Sequence, residues 1–113
     1  MSISPSEKIK VSIEGNIATI VIDNPGANTW DRESLPALRQ VIETLNDEPT
    51  VYALVLTGAG QKFFSAGADL NQFASGDADV ARAVGEAFGE AFETLADFRG
   101  VSIAAINGFA MGG

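Results

Sequence analysis

The 113-residue sequence contains neither cysteine nor histidine. Without cysteine there can be no disulfides, thiolate nucleophiles or zinc–sulfur centres. Without histidine, the Ser-His-Asp triad, imidazole-held metals and the commonest general base at neutral pH are also excluded. Basic residues are scarce: seven Lys and Arg stand against fifteen Asp and Glu, for a net charge of −8. The acids are spread along the chain, and no basic patch exists to offset phosphate charge, so nucleic acid is not an expected partner. No apolar run approaches the ~20 residues of a membrane span. Met1-Ser2-Ile3-Ser4-Pro5 has neither the basic nor the apolar segment of a secretion signal. The expectation is a soluble, cytoplasmic chain with no metal site.

What is present suits a packed core. Apolar residues make up 46% of the chain, and a domain of this size buries roughly 65% of the surface its unfolded form exposes. Ile9, Val11 and Ile13 alternate with polar residues, and Gly15-Asn16 separates them from the apolar run 17–22. That pattern predicts a hairpin whose second strand is central and buried. Leu35, Leu38, Val41, Ile42 and Leu45 fall at helical spacing behind Asp31 and Glu33, so a helix is expected to begin between Asp31 and Ser34. A second buried strand is expected over 51–57, stopped by Gly58-Ala59-Gly60. Gly76-Asp77-Ala78-Asp79 then caps a long helix with Val80, Val84, Phe88, Phe92 and Leu95 on one face. Gly85 and Gly89 within it suggest close packing against a neighbour. Residues 101–106 read as a third buried strand, closed by Asn107-Gly108. The order implies an α/β domain with a mixed, partly parallel sheet. A strand followed by glycines normally opens a helix, and here the sequence stops, so residues 1–113 read as the N-terminal part of a longer protein.

Ligand sites in such sheets lie beyond the carboxyl ends of the strands, here the loops 24–30, 58–70 and 107–113. The middle loop fails as a dinucleotide fingerprint, because Phe63 stands where a third glycine is needed, and it lacks the Gly-Lys-Ser/Thr of a phosphate loop. Ser65-Ala66-Gly67-Ala68 can be a tight turn capped by Asp69, which is the commoner use of such residues. The less common use is to present backbone N–H groups to a ligand. Gly112-Gly113 repeats the theme. Two glycine-rich strand ends, with Asp69 the only carboxylate among them, fit an oxyanion hole for a carbonyl oxygen that gains negative charge. Asn28 is expected to fix its own loop, and Trp30 to be either core or the wall of a pocket. Phe63, Phe64, Phe88 and Phe92 read as core. Lys62 reads as solvated surface before it reads as a phosphate contact.

Several segments carry a resemblance. These are Asp23-Asn24-Pro25 followed by Asn28, then Leu54-Val55-Leu56-Thr57-Gly58, then Phe64-Ser65-Ala66-Gly67-Ala68-Asp69-Leu70. The last is Ile103-Ala104-Ala105-Ile106-Asn107-Gly108 with Gly112-Gly113. With these signatures the chain resembles the N-terminal part of the enoyl-CoA hydratase/isomerase (crotonase) superfamily. The resemblance implies a spiral of ββα units, homotrimeric or hexameric assembly, and acyl-CoA thioester substrates whose enolates are held by two backbone N–H groups. Carried over, those donors are Ala68 and Gly113. The Ala66 carbonyl would meet the adenine of coenzyme A, and Ala27, Gly67, Asp69 and Leu70 would line its path. Coenzyme A enters as part of the substrate, and no separate cofactor is implied. The family's glutamate acid/base groups would fall beyond residue 113, so residues 1–113 alone are expected to be inactive. The alternative is a non-catalytic or phosphate/nucleotide-binding α/β domain using the same glycine loops. A calorimetric comparison of CoA thioesters with NAD separates the two.

Overall fold

The computed structural model describes residues 3–69, 71 and 76–113. The element order is β1 (Ile9–Glu14), β2 (Ile17–Ile22), α1 (Ser34–Asn46), β3 (Ala53–Gly58), β4 (Phe63–Ser65), α2 (Ala78–Ala96), β5 (Val101–Ala104) and β6 (Phe109–Ala110). Two ββα units are thus followed by the two strands of a third. The main sheet runs β1-β2-β3-β5. β1 and β2 pair antiparallel through the Gly15-Asn16 turn. β2–β3 and β3–β5 are parallel, as crossover helices require. Among the described residues no helix is long and apolar enough to cross a membrane.

One face of this sheet supplies Ile9, Ala18, Ile20, Ile22, Leu54 and Leu56 to the core. α1 completes it with Leu35, Ala37, Leu38, Val41, Ile42 and Leu45, the residues that the helical spacing singles out. Each buried Leu or Ile contributes roughly 1.5–3 kcal/mol of transfer free energy. α2 packs against α1, burying Val84 and Ala91, while Phe88, Phe92 and Leu95 lie half-buried against the same core. Asp77 caps α2, its carboxylate accepting the Asp79 N–H at 2.8 Å.

Three expectations need correction. β5 is shorter than 101–106 and exposed along its whole length. Among the described residues it is an edge strand with β3 as its one neighbour, and Val101 and Ile103 stand on the sheet face away from the helices. Gly85 and Gly89 do not mark close packing, since a Cβ at either would meet nothing within 4 Å. The tight approaches are elsewhere: a Cβ on Gly58 would sit 2.5 Å from the Phe64 carbonyl oxygen. Finally, residues 63–65 and 109–110 are not loop but a small parallel sheet, β4–β6. That sheet lays the segments after β3 and after β5 side by side, and the site is built on it.

Candidate active site

At residue 28 the chain after β2 takes a left-handed turn, with Asn28 at φ 51°. The side chain is buried and bonds in three directions. Its Oδ1 accepts the Asn24 N–H, and its Nδ2 donates to the carbonyls of Ala59 and Phe63, each at 3.1 Å. Asn107 holds the same 58–60 turn from the other side. Its Oδ1 accepts the Gly58 N–H at 3.0 Å, and its Nδ2 donates to the Gly58 and Gly60 carbonyls. Two side-chain amides therefore fix the exit of β3.

Ser65 ties all three segments together. Its hydroxyl donates to the Asn28 carbonyl at 2.8 Å and accepts the Gly67 N–H at 3.1 Å. Its carbonyl accepts the Met111 N–H at 2.9 Å. Beyond it, Ala66 donates to the Ala27 carbonyl at 2.9 Å, Trp30 donates to the Gly67 carbonyl at 2.8 Å, and Asp69 donates to the Trp30 carbonyl at 2.8 Å. This short parallel ladder pairs Trp30 with Ala68. In a ladder, successive N–H groups point to opposite sides. With Gly67 and Asp69 both engaged, the Ala68 N–H is turned away. It has no acceptor among the described residues.

Gly113 is in the same condition, without an acceptor among the described residues, and its segment touches the first. A Cβ on Gly67 would lie 2.8 Å from the Met111 carbonyl oxygen and 3.2 Å from the Gly113 nitrogen. The two glycine segments interlock through bare backbone. The segments that carry Ala27, Ala66, Gly67, Ala68, Asp69 and Gly113 thus lie side by side; Leu70 lies outside the described residues. Asp69 accepts the Asn71 N–H at 3.0 Å, in the manner of a turn cap. Lys62 lies over the Phe63 ring, 5.5 Å from its centroid. No cluster of three metal-ligating side chains occurs among the described residues.

Beside Gly113 opens a cavity of about 150 Å³, walled by Trp30, Leu56, Phe64, Phe92 and Met111. Trp30 proves to be both core and pocket wall. It is 2% exposed, meets Phe92 edge-to-face at 5.5 Å, and its backbone flanks Ala68. The residues that sequence reasoning undervalued are Ser65 and Asn107. Their partners lie on other loops, so only the fold reveals them.

The sequence profile of the family described as enoyl-CoA hydratase/isomerase matches residues 12–113. A carnitinyl-CoA dehydratase of Salmonella arizonae is 38% identical over 108 residues, covering 96% of this chain and 41% of the relative. Among solved structures, DspI of Pseudomonas aeruginosa is 62% identical with a TM-score of 0.91, covering 93% of this chain and 40% of that one. An enoyl-CoA hydratase of Bacillus anthracis is 29% identical with a TM-score of 0.88, covering 92% and 41%. The chain therefore spans about two fifths of the length of the relatives it matches.

Proposed function

The chain belongs to the enoyl-CoA hydratase/isomerase family and has its crotonase-type fold, and from that premise we propose that it carries the oxyanion hole of an enzyme acting on acyl-CoA thioesters. The observation that carries this reading is the pair of N–H groups with no acceptor among the described residues, those of Ala68 and Gly113, on two segments locked together backbone to backbone. A thioester oxygen placed between them gains two hydrogen bonds that strengthen as the carbonyl becomes an enolate. Fixed donors cost no reorganisation during reaction, and each is typically worth ~10²–10³ in rate. The surrounding loops carry one cation and one carboxylate, Lys62 and Asp69, which suits a neutral thioester better than a phosphate. In the same reading the Ala66 carbonyl, which has no donor among the described residues, would accept from the adenine of coenzyme A, with Ala27, Gly67 and Asp69 along its path. Hydration, the lyase reaction that relatives' names indicate, would use this hole with an acid/base group supplied elsewhere; homotrimeric or hexameric assembly belongs to the same reading.

The test exploits the fact that proline removes a backbone donor while glycine keeps it. Crotonyl-CoA bound to the wild-type chain should show its carbonyl stretch at lower frequency than in water. Ala68→Gly should retain that shift, and a folded Ala68→Pro should lose much of it, together with about tenfold or more in affinity. An unchanged shift in folded Ala68→Pro, or tight NAD binding with no thioester binding, would overturn the reading.

A further inference from the structure

Between Ser65 and Asp69 one peptide unit is held differently from its neighbours. The 65–66 unit is pinned at both ends. Its carbonyl accepts the Met111 N–H and its N–H donates to the Ala27 carbonyl, both at 2.9 Å. The 67–68 unit is pinned through the Gly67 carbonyl, which accepts the Trp30 N–H at 2.8 Å. The 68–69 unit is pinned through the Asp69 N–H, which donates to the Trp30 carbonyl at 2.8 Å. All of these partners are backbone. The 66–67 unit alone is held by a side chain: its N–H donates to the Ser65 hydroxyl at 3.1 Å. Its other end, the Ala66 carbonyl, has no donor among the described residues. The hydroxyl is itself fixed, because it donates to the Asn28 carbonyl at 2.8 Å in a residue that is 5% exposed. A serine that gives its proton to a peptide carbonyl has no base to activate it, so Ser65 is not a nucleophile.

We propose that Ser65 is a positioning residue for the nucleotide end of the ligand. Its hydroxyl aims the Ala66 carbonyl at the adenine of coenzyme A, while the backbone of Trp30 separately aims the Ala68 N–H. This rests on the thioester reading above. In a trans peptide the N–H and the carbonyl of one unit point in opposite directions. Drawing the Gly67 N–H onto Ser65 therefore turns the Ala66 carbonyl outward. Drawing the Gly67 carbonyl onto Trp30 turns the Ala68 N–H outward in the same way. Burial follows this alternation: Ser65 and Gly67 are buried, whereas Ala66 and Ala68 are partly exposed. The restraint is needed because the residue between the two units is Gly67, at φ +87°. Glycine leaves its flanking units the widest freedom to rotate, and without the hydroxyl the 66–67 unit has no anchor among the described residues.

The experiment compares two thioesters on the intact chain by calorimetry. These are crotonyl-CoA and crotonyl-pantetheine, which has the same reacting carbonyl but no adenine. The wild-type chain should bind the CoA thioester more tightly. Ser65→Ala should lower that preference about three- to tenfold, the contribution of one hydrogen bond. Its affinity for crotonyl-pantetheine, and the lowered carbonyl stretch of the bound thioester, should stay near wild type. Ser65→Thr, which keeps the hydroxyl, should retain the preference. If Ser65→Ala does not fold, Ser65→Cys, which puts a weak acceptor at the same place, should show the same loss. An unmoved preference in a folded variant would overturn the proposal and leave the oxyanion reading in place. So would an equal loss with both thioesters, which is what a merely structural role gives. A wild-type chain with no preference for the CoA thioester would overturn the adenine contact and this proposal with it. Failure to bind either thioester would overturn the proposed function as well.

Discussion

A side chain at Gly67 meets two separate obstacles. The residue sits at φ +87°, where a Cβ strains the backbone, and that Cβ would press within 2.8 Å of the Met111 carbonyl oxygen. Gly26 supplies the control, since its φ is +105° but nothing lies within 4 Å of its Cβ. Gly26→Ala should therefore cost only conformational strain, on the order of 1–2 kcal/mol. Gly67→Ala should cost clearly more, and should also force the 109–113 segment off the 65–68 segment. Denaturant melts of both variants measure the first difference, and titration with crotonyl-CoA the second. Equal melting of the two variants, with thioester affinity intact, would mean that the interlock is not tight. At this scale the sequence was only partly legible. Asn28 reads as a residue that fixes its own loop, and it does so through Asn24. Its other bonds reach Ala59 and Phe63, 31 and 35 positions away, and no local pattern announces contacts at that separation.

The start of α1 shows how an element is anchored and what that does to its pH dependence. Asp31 is buried, and its Oδ1 accepts the N–H groups of Glu33 and Ser34 at 3.0 and 2.8 Å. Its Oδ2 meets the Lys8 ammonium at 2.6 Å. Burial pushes the carboxyl up, but the Lys8 hydrogen bond and the backbone N–H groups outweigh it, so Asp31 titrates below the ordinary 3.8. The sign follows directly. A carboxyl depressed by folding stabilises the protein at pH values above its unfolded pKa, and that contribution is lost as pH falls from about 4 through the folded value. Lys8 is raised above 10.5, chiefly by the hydrogen bond to Asp31; its share is present below 10.5 and fades as pH rises through the folded value. Asp31→Asn keeps a cap but loses the charge, so its deficit against wild type should shrink on acidification from pH 7 to 3. Asp31→Ala should cost a further ~1 kcal/mol at every pH by removing the cap. Melting temperatures across pH 3–8 check both, and a pH-independent Asn deficit would show that the Lys8 pair contributes nothing. Elements as such were largely legible: the hairpin, both helices and the parallel strands follow from apolar period and turn residues. β4 and β6 were not, because three and two residues are too short to carry a period. Nor was the exposure of β5, since an apolar run reads the same whether or not anything covers it.

For the molecule as a whole, the question is what residues 1–113 can do chemically. In the reading proposed above, electrostatic stabilisation by the two N–H groups would lower the barrier to enolate formation, but hydration also needs a proton moved to or from water. Asp69, the only carboxylate in the three loops, is engaged as a turn cap with the Asn71 N–H. Residues 70 and 72–75 are Leu, Gln, Phe, Ala and Ser, so they add no acid or base. General acid–base catalysis typically supplies ~10²–10⁴-fold, and without it the donors leave a rate far below the ~10 s⁻¹ of ordinary enzymes. The 113-residue chain should therefore bind crotonyl-CoA without hydrating it. Val101, Ile103, Ile106, Phe109 and Met111 are all about half exposed or more, so the association state should be fixed first by sedimentation. Loss of the enoyl-thioester absorbance then reports turnover directly. Binding with no loss of absorbance agrees with a hole that lacks its base. Hydration at an ordinary enzymatic rate by a monodisperse preparation would require a proton-transfer group within these residues, and Asp69, the nearest carboxylate in sequence to Ala68, would be the first to replace.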